Sequence, residues 1–214
     1  MKKIIIALTL LASVPVMAQN VDSLVSAQLA GPCGNLDTLS TIQMWKQRSA
    51  EIDKVKNQYP ANWIPAYYSA YCAVQMSYFE TNVKLKDIYL DAADKSLAVV
   101  KESCPLKDEV FVLTAMVANA RLAVDPQNRW KEYGKIFDEN LELAKKENEN
   151  NPHIYLAKGM SVYYTPKMFG GGAKNAMEYF TKAEEKYKLQ TETKVEKPFW
   201  GKATTEYMIA ECKK

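Results

Sequence analysis

The chain has 214 residues, 48% of them hydrophobic, 25% charged and 11% aromatic. That is the profile of a globular protein of one or two domains, and it excludes a disordered, collagen-like or low-complexity chain. Formal net charge is +3, and setting aside Lys2 and Lys3, which sit in a segment expected to be removed, leaves 26 basic against 25 acidic residues; so neutral a chain has no electrostatic ground for a nucleic-acid or anionic-membrane partner.

Residues 1–18 read as a secretory signal peptide. Lys2 and Lys3 form a short basic start, Ile4 to Val14 is almost wholly apolar, and Val16 and Ala18 occupy positions −3 and −1 of a cut before Gln19. The apolar run is too short to span a bilayer, and no later stretch is long enough. No cysteine follows the cut, so a lipid anchor is not indicated. The expectation is an exported protein, periplasmic or secreted, with an N-terminal arm over 19–36 and one helical domain over 37–214.

Export gives meaning to the cysteines. Cys33, Cys72, Cys104 and Cys212 allow two disulfides in three connectivities, and no pair has the C-x-x-C spacing of a redox or zinc site. Cys33 lies in the turn-like Gly31-Pro32-Cys33-Gly34, where a staple for the arm would fit, whereas Cys72 sits in an apolar helical run. Cys33–Cys72 is the favoured pair, with Cys104 and Cys212 free.

From residue 39 onward the hydrophobic period is helical. Leu39, Ile42, Trp45, Ile52, Val55 and Tyr59 form the stripe of an amphipathic helix, as do Trp130, Tyr133, Phe137, Leu141 and Ala144, and then Ala173, Ala176, Phe180, Ala183 and Tyr187. Breakers separate the stripes at Pro60, Pro105, Asp125-Pro126, Asn151-Pro152, Pro166, Gly170-Gly171-Gly172 and Pro198. Asn151-Pro152 is a strong start signal: the Asn side chain accepts from free first-turn amides, and Pro has no amide to leave unpaired. The spacing predicts an all-α chain of roughly eight helices.

An internal repeat organises them. Ala70, Ala115, Gly159 and Ala203 stand 45, 44 and 44 residues apart. Four positions before them lie Ala66, Phe111, Tyr155 and Phe199; three before, Tyr67, Val112, Leu156 and Trp200; four after, Val74, Asn119, Tyr163 and Tyr207. A small residue flanked by large apolar ones lets a second helix approach closely, and Ala93, Ala144 and Ala183 serve the partner helices. Units that cannot bury their apolar face alone must stack, which predicts a solenoid of three helix hairpins, capped by helices near 37–57 and 198–212.

At these residues the chain resembles the tetratricopeptide-repeat family, best in Ile154-Tyr155-Leu156-Ala157-Lys158-Gly159 followed by Ala176 to Ala183. The resemblance covers about residues 60–212 and departs from the usual period of about 34 residues. Met168-Phe169-Gly170-Gly171-Gly172 before Ala173-Lys174-Asn175-Ala176 is also similar to the tetratricopeptide-like periplasmic subunit of some tripartite solute transporters.

Catalytic sets are missing. His153 is the sole histidine, so neither a multi-histidine metal site nor a Ser/His/Asp triad can be assembled, and its first-turn position suits a solvated side chain. The glycine run lacks phosphate-loop spacing and is suited to turning the chain back. Glu147, Glu149, Glu184 and Glu185 lie among lysines on helix faces and read as solvated. No enzyme activity, cofactor or metal is expected.

One constellation remains. In tetratricopeptide-like stacks the first helix of each hairpin lines the concave face, which here would carry Tyr67, Tyr71, Met116, Asn119, Met160, Tyr163, Tyr164, Trp200 and Tyr207. Aromatic rings give contact area at little rotamer cost, and methionines adapt to apolar shapes. The leading expectation is a binding or scaffold module presenting this groove to a protein or peptide. The alternative is an enclosed pocket for a hydrophobic small molecule serving a transport system.

Overall fold

The computed structural model describes the backbone of residues 14–214 and the side chains from residue 21. Residues 1–13 of the expected signal segment lie outside that range. Among the described residues the chain is all-α: α1 (Val14–Cys33), α2 (Ile42–Gln58), α3 (Trp63–Phe79), α4 (Val83–Ser103), α5 (Lys107–Val124), α6 (Pro126–Glu147), α7 (Pro152–Tyr164), α8 (Ala173–Tyr187) and α9 (Lys202–Cys212). They include no strand, only an isolated bridge between Lys194 and Lys197, and no helix long and apolar enough to cross a membrane.

Local chemistry sets the boundaries. Asn62, Asn82, Asp125 and Asn151 each cap a helix by accepting from a first-turn amide, at 2.9 Å from Ile64, 3.0 Å from Lys84, 3.3 Å from Asn128 and 2.8 Å from His153. Each such cap contributes about 0.5–2 kcal/mol. Pro126 and Pro152 stand at the first helical position, where a missing amide costs nothing.

The helices pair as the repeat requires: α3 with α4, α5 with α6, α7 with α8, while α3, α5 and α7 lie side by side and α9 closes on α8. The small residues are the contact points. Ala70, Ala115, Ala93, Ala144 and Ala183 are all fully buried, as are Leu90 and Phe180. A methyl group added at Gly159 would stand 2.6 Å from Cε1 of Phe180, so the α8 ring rests on the α7 backbone. Charge ties the first two hairpins together outside the core. Asp87 accepts from Arg129 at 2.8 and 2.9 Å, and Arg121 reaches Asp91 and Asp94 at 2.6 and 2.7 Å.

Two expectations change at the ends. Residues 19–33 form most of a helix, α1, that buries Val25, Leu29 and Cys33 against α2 and α3. The fourth unit also slips from the repeat register: Ala203 is exposed, and Trp200 precedes α9 instead of lying on it. The cause is Gly201. Its φ of +93° suits glycine, and Asp37 accepts from the Gly201 and Ala203 amides at 2.6 and 3.1 Å. The helix therefore starts at Lys202 and buries Thr205 and Met208.

Candidate functional site

The nine concave-face positions fall into two groups. Tyr67, Tyr71, Met116 and Trp200 are buried, whereas Asn119, Met160 and Tyr163 are partly covered and Tyr164 and Tyr207 exposed. Tyr67, Tyr71 and Trp200 meet one another, while Met116 is buried midway along α5. Trp200 Nε1 donates to the Tyr67 hydroxyl at 3.1 Å, that hydroxyl donates to Glu109 at 2.6 Å, and the Tyr71 ring lies 4.4 Å from that of Trp200.

At the centre of this group is His153, which is 0% exposed and not solvated as its sequence position suggests. Its ring stacks on Trp200 at 3.9 Å and 8°. Nδ1 lies 2.8 Å from Glu109 Oε1 and Nε2 lies 2.9 Å from the Trp200 carbonyl. The two ring nitrogens therefore face two oxygen groups, the Glu109 carboxyl on one side and the Trp200 carbonyl on the other. Burial alone would raise the Glu109 carboxyl. The His153 charge, with hydrogen bonds from His153, Tyr67 and Asn151, outweighs it and holds the group below its ordinary value. The Tyr187 hydroxyl also donates to the Trp200 carbonyl, at 2.9 Å. Each polar group in this set has a partner, and the set locks α3, α5, α7 and the segment before α9 to one another. It is a structural junction.

Cys33 and Cys72, the favoured disulfide pair, are both buried free thiols here, as is Cys104. Burial, partly opposed by Arg48, pushes Cys33 up to about 12. Each packs as a small apolar side chain.

The opposite end of the stack differs. Tyr163 and Tyr164 close α7 with rings 5.1 Å apart at 79°. Tyr164 is 72% exposed, and Tyr207 on α9 is 62% exposed. Burial raises the Tyr164 hydroxyl, and its neighbours Tyr163, Tyr207 and Glu211 raise it further. The α7–α8 connection then displays Met168 and Phe169, 83% and 71% exposed, from a 3-10 turn over Lys167–Phe169. Its backbone is well held. Gly172 N donates to the Val162 carbonyl at 2.9 Å, and Asn175 Nδ2 donates to the Gly170 carbonyl at 3.0 Å. Gly170 and Gly172 take φ of +83° and +96°, which is the turning role expected of the glycine run. Beside it lies an open cleft of about 350 Å³ lined by Val162, Gly170, Lys174, Asn175, Glu178 and Tyr179.

A fixed loop a few residues beyond the exposed Tyr164 holds two large apolar side chains in water, packed against none of the described residues. Such patches mark contact surfaces.

The fold has a known counterpart. It is similar to the HusA haemophore from Porphyromonas gingivalis, with a TM-score of 0.71 and 27% sequence identity over 90% of this chain and 92% of that chain. No family model matches the chain, the tetratricopeptide repeat included, and no curated protein matches it. The likeness to the haemophore extends through nearly all the helices and is not confined to one hairpin.

Of the remaining concave positions, Asn119 turns its amide to the Tyr78 hydroxyl at 3.1 Å, and Met160 packs against the core. Glu109, His153 and Asn151 are the polar residues that periodicity missed. The repeat alignment contains the signal. Six positions before Ala70, Ala115 and Gly159 stand Ile64, Glu109 and His153, an acid and a base in a column that opens with a buried apolar side chain. Met168 and Phe169 were visible as an apolar pair before three glycines, yet exposure is not written in composition.

Proposed function

We propose that the protein is an exported, non-enzymatic carrier that holds an iron porphyrin against the exposed aromatic end of α7, α9 and the loop between α7 and α8. The observation that carries this reading is the likeness to a haemophore over nine-tenths of both chains. The exposed end supports it chemically. Tyr163, Tyr164, Tyr207, Met168 and Phe169 offer faces and edges for a flat apolar ring, and Lys167 and Lys174 lie beside them to meet the ring's carboxylates. A peptide laid along Tyr67, Tyr71 and Trp200 has less support, because those three side chains are packed on one another.

Titration of the purified protein, lacking residues 1–18, with ferric haem tests the reading. A saturable shift of the haem absorption band is expected, with Kd of about 1 µM or tighter, equivalent to about 8 kcal/mol. Binding no stronger than that of an unrelated helical protein of equal size would overturn it.

A further inference from the structure

The bends of the three hairpins lie at one end of the stack, because α3, α5 and α7 run side by side and each leads into its partner there. Bonds between the first two hairpins tie their bends together. Asn119, in the second half of α5, donates to the Tyr78 hydroxyl at the end of α3, and Arg129, at the start of α6, pairs with Asp87 at the start of α4. The first bend displays Tyr78, Phe79 and Val83, with Ile88 further along α4, and the second displays Trp130. All five are exposed. Large apolar side chains gathered in water mark a contact surface, and none of these five belongs to the proposed porphyrin site.

Charge at the two bends is sorted. Glu80 accepts from the Thr81 and Asn82 amides at 2.9 and 3.0 Å, and Asp125 caps α6. Asp87 is held by Arg121 and Arg129 at 3.1 and 2.8 Å. Lys84 and Lys131 are exposed and Lys86 is half-buried. Among the described residues none of these three ammonium groups has a carboxylate partner, and that of Lys131 lies 5.6 Å from the centre of the Trp130 ring. Against them stands Glu132, an exposed acid beside Lys131. The near-neutral charge of the whole chain conceals this local excess of free ammonium groups.

The mixture selects the partner. The core of a protein interface is depleted in lysine, whereas a lipid surface favours lysines interleaved with apolar side chains. The apolar groups enter the boundary with the acyl chains, the lysine stems run beside them, and the ammonium groups meet headgroup phosphates. Tyrosine and tryptophan suit that boundary, having an apolar ring with a polar edge. Bends set side by side at the end of a stack can also reach a plane together.

We propose that the bend end of the first two hairpins docks on an anionic lipid surface, with Phe79, Val83, Ile88 and Trp130 entering the headgroup boundary and Lys84, Lys86 and Lys131 on its phosphates. The inference does not depend on the porphyrin-carrier reading, whose residues lie on the third hairpin and α9.

Trp130 supplies the probe, since it is 57% exposed whereas Trp45, Trp63 and Trp200 are buried. The purified protein, lacking residues 1–18, is mixed with vesicles of phosphatidylcholine alone, or of phosphatidylcholine and phosphatidylglycerol in equal parts. Binding to the anionic vesicles is expected, read by co-sedimentation and by quenching of Trp130 with brominated lipid, and it should weaken as salt is raised. Lys84→Ala with Lys86→Ala should weaken it about tenfold or more. Val83→Ser with Ile88→Ser should weaken it by a similar factor of about ten. Trp130→Phe should keep the binding and lose the quenching. Urea melts of all three are expected to match wild type, because the altered side chains are largely in water. Absence of binding to either vesicle would overturn the proposal and leave a protein as the partner of these bends. Equal binding to the neutral vesicles would overturn it by removing the role of charge. Anionic binding that survives both paired variants would overturn it by placing the contact on another face. Haem titration of the Val83→Ser, Ile88→Ser protein is expected to match wild type, which keeps these outcomes separate from the fate of the carrier reading.

Discussion

The two ends of the first helices treat aromatic side chains in opposite ways. At their N-terminal ends Tyr67, Tyr71 and Trp200 are sealed around a buried His153–Glu109 pair. At the C-terminal end of α7, Tyr164 and the Met168-Phe169 loop face water, as does Tyr207 midway along α9. One repeat alignment gave all the tyrosines and Trp200 the same role. The difference arises because the N-terminal ends are covered by the segment before α9 and by Tyr187 of α8, whereas the described residues leave the other end uncovered. A stripe of rings therefore marks a helix face, and only the covering elements decide whether that face is core or contact surface.

Breaking the sealed end should give the largest effect. Glu109→Gln removes the buried carboxyl that meets His153, Tyr67 and Asn151 and should cost about 3–5 kcal/mol in a urea melt, the range for one partner of a buried pair. Trp200→Ala, which empties a buried indole site and removes one donor to the Tyr67 hydroxyl, should fall in a similar range of about 3–5 kcal/mol. Any haem binding by the folded fraction of these variants is expected to persist. Stability that barely changes would mean the network does not hold the ends of α3, α5 and α7.

The same pair predicts a pH dependence. The folded Glu109 carboxyl lies below its ordinary value of 4.5, so the unfolded chain takes up the proton first on acidification. Its contribution is fully present above the unfolded value and is lost as the pH falls through the folded one. Urea midpoints of the wild type should decline between pH 5 and pH 3, at about the ordinary carboxylate range and below, and Glu109→Gln should flatten that decline. Parallel slopes in the two proteins would remove Glu109 as its source.

At the helix contact between the two ends the effect is intermediate. Gly159→Leu should overpack the α7–α8 hairpin and cost about 1–3 kcal/mol or more. On the sequence alone Gly159→Ala is expected to be far milder than Gly159→Leu, with helix propensity in its favour. The structure changes that expectation, because a Cβ there would meet the Phe180 ring at 2.6 Å and Phe180 is itself fully buried. Thermal melts should rank wild type above Gly159→Ala and Gly159→Ala above Gly159→Leu. An alanine variant more stable than wild type would show that the ring can move aside.

How much of this the sequence contained depends on range. Caps and breakers are local, and Asn151-Pro152, Asp125-Pro126 and the glycine run mark boundaries the structure has. The 44- to 45-residue spacing is a packing signal that located Ala70, Ala115 and Gly159 as helix contacts, while its last step fell on the exposed Ala203. The α9 register was hidden because it depends on Asp37 reaching the Gly201 and Ala203 amides across more than 160 residues of chain. The burial of His153 was hidden for the same reason: its partners, Glu109 and the Trp200 carbonyl, lie 44 and 47 residues away. Of the candidate site, the sequence named Tyr163, Tyr164 and Tyr207 but could not separate them from Tyr67, Tyr71 and Trp200, since exposure is a property of what fails to cover a face.

The smallest effect on folding should come from the open end, and it sharpens the comparison most. Tyr164→Ala and the pair Met168→Ala with Phe169→Ala remove side chains that are mostly in water, so each should change stability by no more than about 0.5 kcal/mol. Truncating the loop residues leaves the backbone bonds at Gly172 and Asn175 in place, so the loop keeps its shape. If these side chains exist to contact a ligand, the same variants should lose binding out of proportion to stability, with an aromatic anchor costing about 2 kcal/mol, roughly a thirtyfold rise in Kd. Paired urea melts and haem titrations measure both quantities on one sample. A stability loss near that of Trp200→Ala would mean the exposed end is held by packing after all. Unchanged stability with unchanged haem affinity would place any ligand elsewhere on the molecule, and would leave Met168 and Phe169 as an apolar display that haem does not use.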